Sequence, residues 1–230
     1  MIDRLIGWFG ADASWHRLGP QLGEAFGDTL LMVLVTIVFG GVLGLILGVV
    51  LYCSRPGGVL ENRFAHVVLN VAVNLVRPIP FVLLVAALGP ITLAAIHKTI
   101  GIQAAIFVMV VSASFAIARI VEQNLVTIDP GVVEAARAVG ASPLRIITTL
   151  LIPEALGPLI LGYTFVLVGV VDMSAMAGVV GGGGVGDFAI TYGYNRFRWD
   201  VTLVSVLLII LFVQLAQFAG NYLARKALRR

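Results

Sequence analysis

Thr29-Leu-Leu-Met-Val-Leu-Val-Thr-Ile-Val-Phe-Gly40-Gly-Val-Leu-Gly44-Leu-Ile-Leu-Gly48-Val-Val-Leu-Tyr-Cys-Ser54 runs between Asp28 and Arg55 without one charged residue. A helix crosses the hydrocarbon core of a bilayer with about 20 mostly apolar residues, so this stretch is long enough to span. Gly40, Gly44 and Gly48 repeat every four residues and share one helix face, where another helix can approach closely. The rest of the chain agrees with a membrane setting. Of 230 residues, 60% are hydrophobic and 12% charged, against about 25% charged in a soluble domain. No water-soluble fold hides that much apolar surface. The length allows one multi-span domain and leaves no room for a second, catalytic one.

Four further spans follow. The second starts near Phe64 and reaches about Leu88, interrupted by Arg77-Pro78-Ile79-Pro80. The prolines remove backbone donors and crowd the preceding turn, which predicts a kinked helix. The third covers about Ile102 to Leu125 with Arg119 near one end, the fourth Glu154 to about Val180 with Asp172 inside it, and the fifth Val201 to Tyr222.

An odd number of spans puts the termini on opposite faces. Nine positive residues fall on one side: Arg55, Arg63, Arg119, Arg137, Arg145, Arg225, Lys226, Arg229 and Arg230. Five fall on the other, namely Arg4, Arg17, Lys98, Arg196 and Arg198, and Arg77 lies within a span. Positive residues collect on the cytoplasmic side, so the C-terminus is predicted cytoplasmic and the N-terminus external. Met1 to Gly10 lacks the apolar core and small-residue cleavage site of a cleaved signal peptide. The single cysteine, Cys53, forms no intrachain disulfide, no Cys/His cluster has zinc spacing, and the scattered charges do not form a nucleic-acid face.

The loop from Thr127 to Ile152 carries the functional signal. Asp129-Pro130 reads as an N-cap followed by proline at the first helical position, opening a short helix that ends at Gly140. Ser142-Pro143 repeats the start signal, and Pro153 restarts the chain as the fourth span. Two short helices about a glycine turn make a cytoplasmic knob. Val132, Val133, Ala135, Ala136 and Val139 give it a small apolar surface suited to a groove. Glu134 alone would be read as a favourable charge in the first turns of a helix.

Glu134-Ala135-Ala136, three residues, Gly140, nine residues and Leu150-Leu151-Ile152-Pro153 together resemble the EAA loop of ABC-importer permease subunits. Leu150 and Ile152 stand where that family has Ile and Leu, and both exchanges keep apolar bulk. The likeness extends over about Phe26 to Arg230. Leu51-Tyr52-Cys53-Ser54-Arg55-Pro56-Gly57, Arg77-Pro78-Ile79-Pro80-Phe81, Gly101-Ile102-Gln103-Ala104-Ala105, Ser174-Ala175-Met176 and Gln217-Phe218-Ala219-Gly220 are similar to stretches of methionine-importer permeases. The resemblance implies an all-α, five-helix type I importer fold, with an external segment 1–25 and a permease domain 26–230 carrying the coupling loop 127–153. It further implies a homodimer in the bacterial inner membrane, two cytoplasmic ABC ATPase subunits and an external substrate-binding lipoprotein. ATP and Mg would then sit on the partner ATPase, with no cofactor, metal or catalytic residue in this chain. Glu134, Ala135, Ala136, Gly140, Ser142 and Pro143 would couple to that ATPase. Substrate identity, methionine as against another amino acid or small solute, rests on the resemblance alone.

Arg77, Pro78, Pro80, Asp172, Ser174 and Met176 are candidates for the pathway or its gate. Each of the two charges has a structural alternative. The Arg77 guanidinium can cap carbonyls freed at the kink. Asp172 can be a neutral acid inside the bundle, the expectation preferred here, or an ion-pair partner of Arg77. The run Gly181-Gly182-Gly183-Gly184-Val185-Gly186 lacks the Lys and Ser/Thr of a phosphate loop. It is expected to be a flexible external end of the fourth span, or else a gate or a contact for the binding protein. A rival from a different class is an intramembrane enzyme using Asp172 with Arg77 or a histidine.

Overall fold

The computed structural model describes residues 15–228, which hold helices and connecting turns and no β-strand. The first helix, α1, is Trp15–Cys53. It starts well before the charge-free run, so residues 15–25 of the segment expected to be external form the first turns of this helix. Leu18, Leu22 and Ala25 explain this, since their spacing lines one helix face, and Leu18 and Ala25 are buried with Phe188 and Val201. The reading of Met1 to Gly10 lies outside the described residues. A π-helical turn, Thr36–Gly40, interrupts α1 just before the glycine face.

Next come α2 (Arg63–Val76), α3 (Phe81–Ala87) and α4 (Gly89–Ile96). The interruption expected at the prolines is a full break between Val76 and Phe81, with α2 and α3 bent by 114°. Pro80 takes an extended ψ of 137°, and two prolines within three residues withdraw more backbone bonds than a bend can restore. The α4 helix, unforeseen in the sequence, stops at His97, whose φ of 57° is left-handed. α5 (Ile102–Val126) matches the third span, and α6 (Pro130–Ala138) is the first helix of the coupling loop.

α7 runs unbroken from Pro143 to Val179, so the second loop helix does not end before Pro153 but continues into the fourth span. A π-helical turn at Ile147–Leu151 precedes the proline. Here Thr148 Oγ1 donates to the Leu144 carbonyl (2.9 Å) and Thr149 Oγ1 to that of Arg145 (2.6 Å), giving those acceptors side-chain partners ahead of Pro153. α8 (Gly184–Phe188) follows, then irregular helical turns to Arg196, and α9 (Trp199–Leu228) closes the described chain. Among the described residues, four helices are long and apolar enough to cross a membrane, or five if α2 and α3 make one broken span.

The chain divides into two packing units. One comprises the described residues up to Thr36, Pro80–Met109 and Val168–Leu215. Its core gathers Leu18, Ala25, Phe188 and Val201 against Trp15, Leu22 and Tyr192. Trp15 Nε1 donates to Asp200 Oδ2 (3.1 Å), which Arg198 Nη2 meets at 2.6 Å. Here the glycine run is a close-packed turn, not the flexible end expected. Val185 N–H donates to Thr29 Oγ1 (2.9 Å), and a Cβ on Gly184 would lie 2.8 Å from Met32 Cε. Gly181, Gly183 and Gly184 all have positive φ, which fits glycine and few other residues.

The other unit comprises Ile37–Ile79, Val110–Leu167 and the chain from Ala216 onward. In it the Gly40, Gly44 and Gly48 face of α1 lies against Ala113, Ile117 and Val121 of α5. Leu51, Val73 and Ala118 form a buried cluster, and Tyr163 Oη donates to the Gly41 carbonyl (2.7 Å).

Candidate functional site

The knob is built by its caps. Asp129 Oδ1 accepts from Gly131 N–H at 2.8 Å with Pro130 at the start of α6, and Ser142 Oγ accepts from Arg145 N–H at 3.4 Å ahead of Pro143. Between them Gly140 has φ of 78°, with nothing within 4 Å of where a Cβ would stand. The glycine is needed for its backbone conformation and not for space. Glu134, Ala135, Ala136, Gly140, Ser142 and Pro143 thus come together on one short hairpin.

Its surface divides sharply. Val133 and Ile146 are buried and hold the hairpin down, whereas Val139 is 83% and Leu144 70% exposed. Glu134 is exposed. Arg137 Nη2 donates to the Gly57 carbonyl at 3.2 Å, fastening α6 to the turn that follows α1. Two large apolar side chains and a carboxylate are left facing outward, a surface with both grip and charge.

The other candidates separate. Arg77, Pro78 and Pro80 are exposed at the break after α2. The Arg77 N–H donates to the Val73 carbonyl at 3.2 Å, and its side chain lines a cavity of about 420 Å³ with Gln123, Asn124, Leu161, Gly162 and Phe165. The guanidinium does not cap the carbonyls freed by the prolines; the Ile79 N–H donates to that of Val76 at 3.1 Å.

Asp172 is exposed on the subunit, with neither a hydrogen bond nor an ion pair among the described residues. This corrects the expectation of a neutral acid within the bundle. Asp172 occupies the face of α7 turned away from Val170, Val171 and Ser174, which are buried. Ser174 Oγ donates to the Val171 carbonyl (2.7 Å), so its hydroxyl is spent within α7, and Met176 is partly exposed. No three His, Cys, Asp or Glu residues converge as a metal site among the described residues.

One cluster was not recognised in the sequence. Arg119 Nη2 donates to Asn70 Oδ1 and Asn74 Oδ1, each at 2.7 Å, while Nη1 pairs with Glu122. Asn70 and Asn74 lie four apart on α2, and Arg119 and Glu122 three apart on α5. That spacing was the available signal, because i, i+3 and i, i+4 residues share a helix face.

The family model described as binding-protein-dependent transport system inner membrane component matches residues 40–229. The "Probable D-methionine transport system permease protein MetI" of Vibrio cholerae serotype O1 is 40% identical over 219 residues, which cover 95% of this chain and 97% of that one. The D-methionine transport system permease protein MetI of Escherichia coli (strain K12) is 42% identical over 151 residues, covering 66% and 70%. Among solved structures, a chain of the MetNI methionine ABC transporter in an inward-facing conformation superposes with a TM-score of 0.88. It is 38% identical, with 94% of this chain and 99% of that chain covered. A chain of an amino acid ABC transporter crystallised with histidines has a TM-score of 0.76 at 16% identity, a likeness of fold alone.

Proposed function

Since the chain belongs to the family of binding-protein-dependent transport system inner membrane components, we propose that it is the permease subunit of an ATP-driven importer whose substrate is methionine. The observation that carries the reading is the capped knob at the coupling loop. It presents Val139, Leu144 and Glu134 outward from a short hairpin set between two helices long and apolar enough to cross a membrane. A groove on a soluble partner accounts for such a knob.

The chain works as a homodimer in the inner membrane, with its C-terminus and coupling loop in the cytoplasm, where two ATPase subunits engage the knobs. An external binding lipoprotein delivers substrate to the opposite face. ATP and Mg belong to the ATPase subunits, and this chain contributes no catalytic residue. Asp172 supports a dimer. A charged side chain facing lipid at a helix centre costs about 2.5–3.5 kcal/mol on insertion scales, a penalty removed if a second subunit or a water-filled seam covers it. Movement of α6 passes to α7 because α7 is continuous from Pro143 through the membrane, so a shift at the knob tilts a whole span. The pathway opens to one side and then the other as a two-state switch.

Reconstitution tests this. The chain, coexpressed with a candidate ATPase subunit, should copurify with it and, with the binding lipoprotein supplied outside, take up methionine into proteoliposomes only when ATP is enclosed. Uptake without an ATPase, or copurification without methionine uptake, rejects the assignment. A reporter fused after Arg230 should report cytoplasm and one inserted near Gly183 the outside; the same side for both rejects the topology.

A further inference from the structure

The guanidinium of Arg77 has no ion pair or side-chain hydrogen bond among the described residues. A planar cation with five N–H donors stays unpaired at membrane depth only where water or an anion meets it. Beside it is the cavity of about 420 Å³, to which α5 contributes the carboxamides of Gln123 and Asn124. Neither carboxamide has a hydrogen bond to another described residue. On the far wall, α7 contributes Leu161 and Phe165, the latter 75% exposed. Gly162 lets the walls close up, since a Cβ there would run into Ile120 and stand 3.5 Å from Asn124 Nδ2.

These groups are sorted by chemistry. A guanidinium is the side chain best shaped to hold a carboxylate by two parallel hydrogen bonds. Carboxamide oxygens accept from an ammonium group, and an apolar wall suits an uncharged side chain. A small zwitterion with an apolar tail has these three parts. Both walls also belong to helices joined by the coupling loop, because α5 runs into it at Val126 and α7 leaves it at Pro143. An occupant of the cavity therefore bridges the two elements that the knob connects.

We infer that this cavity is a binding site for the transported amino acid, with Arg77 holding its α-carboxylate and Gln123 and Asn124 facing its ammonium group. The inference rests on the importer reading above and adds the site and the recognised group. An anionic lipid headgroup offers the same oxyanion chemistry, so the test separates the two sources.

The complex of permease and ATPase, without binding protein, is placed in nanodiscs of phosphatidylcholine alone and irradiated with a diazirine analogue of methionine. Adducts should map to 120–124 and 161–165, and methionine should compete them away while methioninol, which lacks the carboxylate, should not. Equilibrium binding of methionine should weaken by about tenfold or more in Arg77→Gln, equivalent to about 1.4 kcal/mol. Arg77→Lys should recover part of this. Asn124→Leu, which keeps the side chain's approximate size while removing the acceptor that faces the ammonium group, should also weaken it. Equal competition by methioninol, unchanged binding in Arg77→Gln, adducts confined elsewhere, or loss of the signal when anionic lipid is added overturns the site. ATP-driven uptake by the wild-type complex is measured in parallel in proteoliposomes supplied with the binding lipoprotein. If it is present while the site fails, only this inference falls; if methionine is not taken up, the importer reading falls with it.

Discussion

Alanine at four glycines of α1, Gly27, Gly40, Gly44 and Gly48, should give a graded response set by distance. A Cβ at Gly48 would lie 2.5 Å from the Ala118 carbonyl oxygen and 2.6 Å from Val121 Cβ, and one at Gly44 would lie 2.6 Å from Ile117 Cβ and 2.8 Å from the Ser114 oxygen. Carbon atoms settle at about 3.5–4.0 Å, so α1 and α5 must part by roughly 1 Å, which forfeits about a quarter to a half of the dispersion well along the seam. Overpacking of this kind costs about 1–3 kcal/mol. Because the obstacle is helix backbone, Gly48→Ala belongs at the upper end. The better helix propensity of alanine returns about 1 kcal/mol, leaving a net loss near 2 kcal/mol and a Tm lower by about 4–8 °C. At Gly40 the nearest atoms are Ala113 Cβ at 3.1 Å and the Val110 oxygen at 3.2 Å, so a few tenths of an ångström suffice and Gly40→Ala should fall within about 0.5 kcal/mol of wild type. Gly27, on the same helix with nothing within 4 Å, should gain about 0.5–1 kcal/mol on substitution by alanine. Thermal unfolding of the detergent-solubilised subunit reads all four variants. A Gly48→Ala protein as stable as wild type, or a larger loss at Gly40 than at Gly48, refutes the reasoning.

Gly140→Val should cost roughly 1 kcal/mol or more in the left-handed turn and tilt the knob, so uptake falls while the ATPase still hydrolyses ATP; normal uptake rejects the role. Asp172→Asn should alter the thermal stability of the solubilised subunit by less than about 0.5 kcal/mol, because the carboxylate has no partner within it; a large loss would mean that it is paired. Arg119→Gln leaves Glu122 without its cation in a site where each side chain is 15% exposed. The loss should be about 3 kcal/mol, and calorimetry should find the Arg119→Gln, Glu122→Gln double variant no worse than the single; additive losses exclude a coupled pair.

Charge-free length and proline-capped starts are local properties, which is why α1, α5, α6 and the Gly140 turn could be read from the sequence. The glycine face of α1 was legible for the same reason, since a repeat of four is visible without knowing the partner helix. Asp172 was misread because hydropathy locates a residue along a span and says nothing about which way it faces. The glycine run was misread because the partners that order it, Thr29 and Met32, are remote in sequence. Pro153 suggested a restart because the rule that proline ends a helix omits the option of a widened turn just before it. In the coupling loop, composition revealed the caps, but the hold of Arg137 on Gly57 belongs to tertiary packing. The Arg77 cavity needed three separate helices and had no linear signature.

The π-helical turns bear on how such a chain can change in length. A turn of this kind holds one residue more than the α-helical turn it replaces. A single-residue deletion between Ile147 and Leu151 should therefore restore plain α-helix and leave the faces of α7 before and after it in their present orientation. The same deletion at Leu167 would rotate every later residue of the helix by about 100°, carrying Val170, Val171 and Ser174 out of their buried positions. Thr36–Gly40 gives α1 a second place of this kind. Relatives that differ by one residue in these helices should carry the difference at the widened turns.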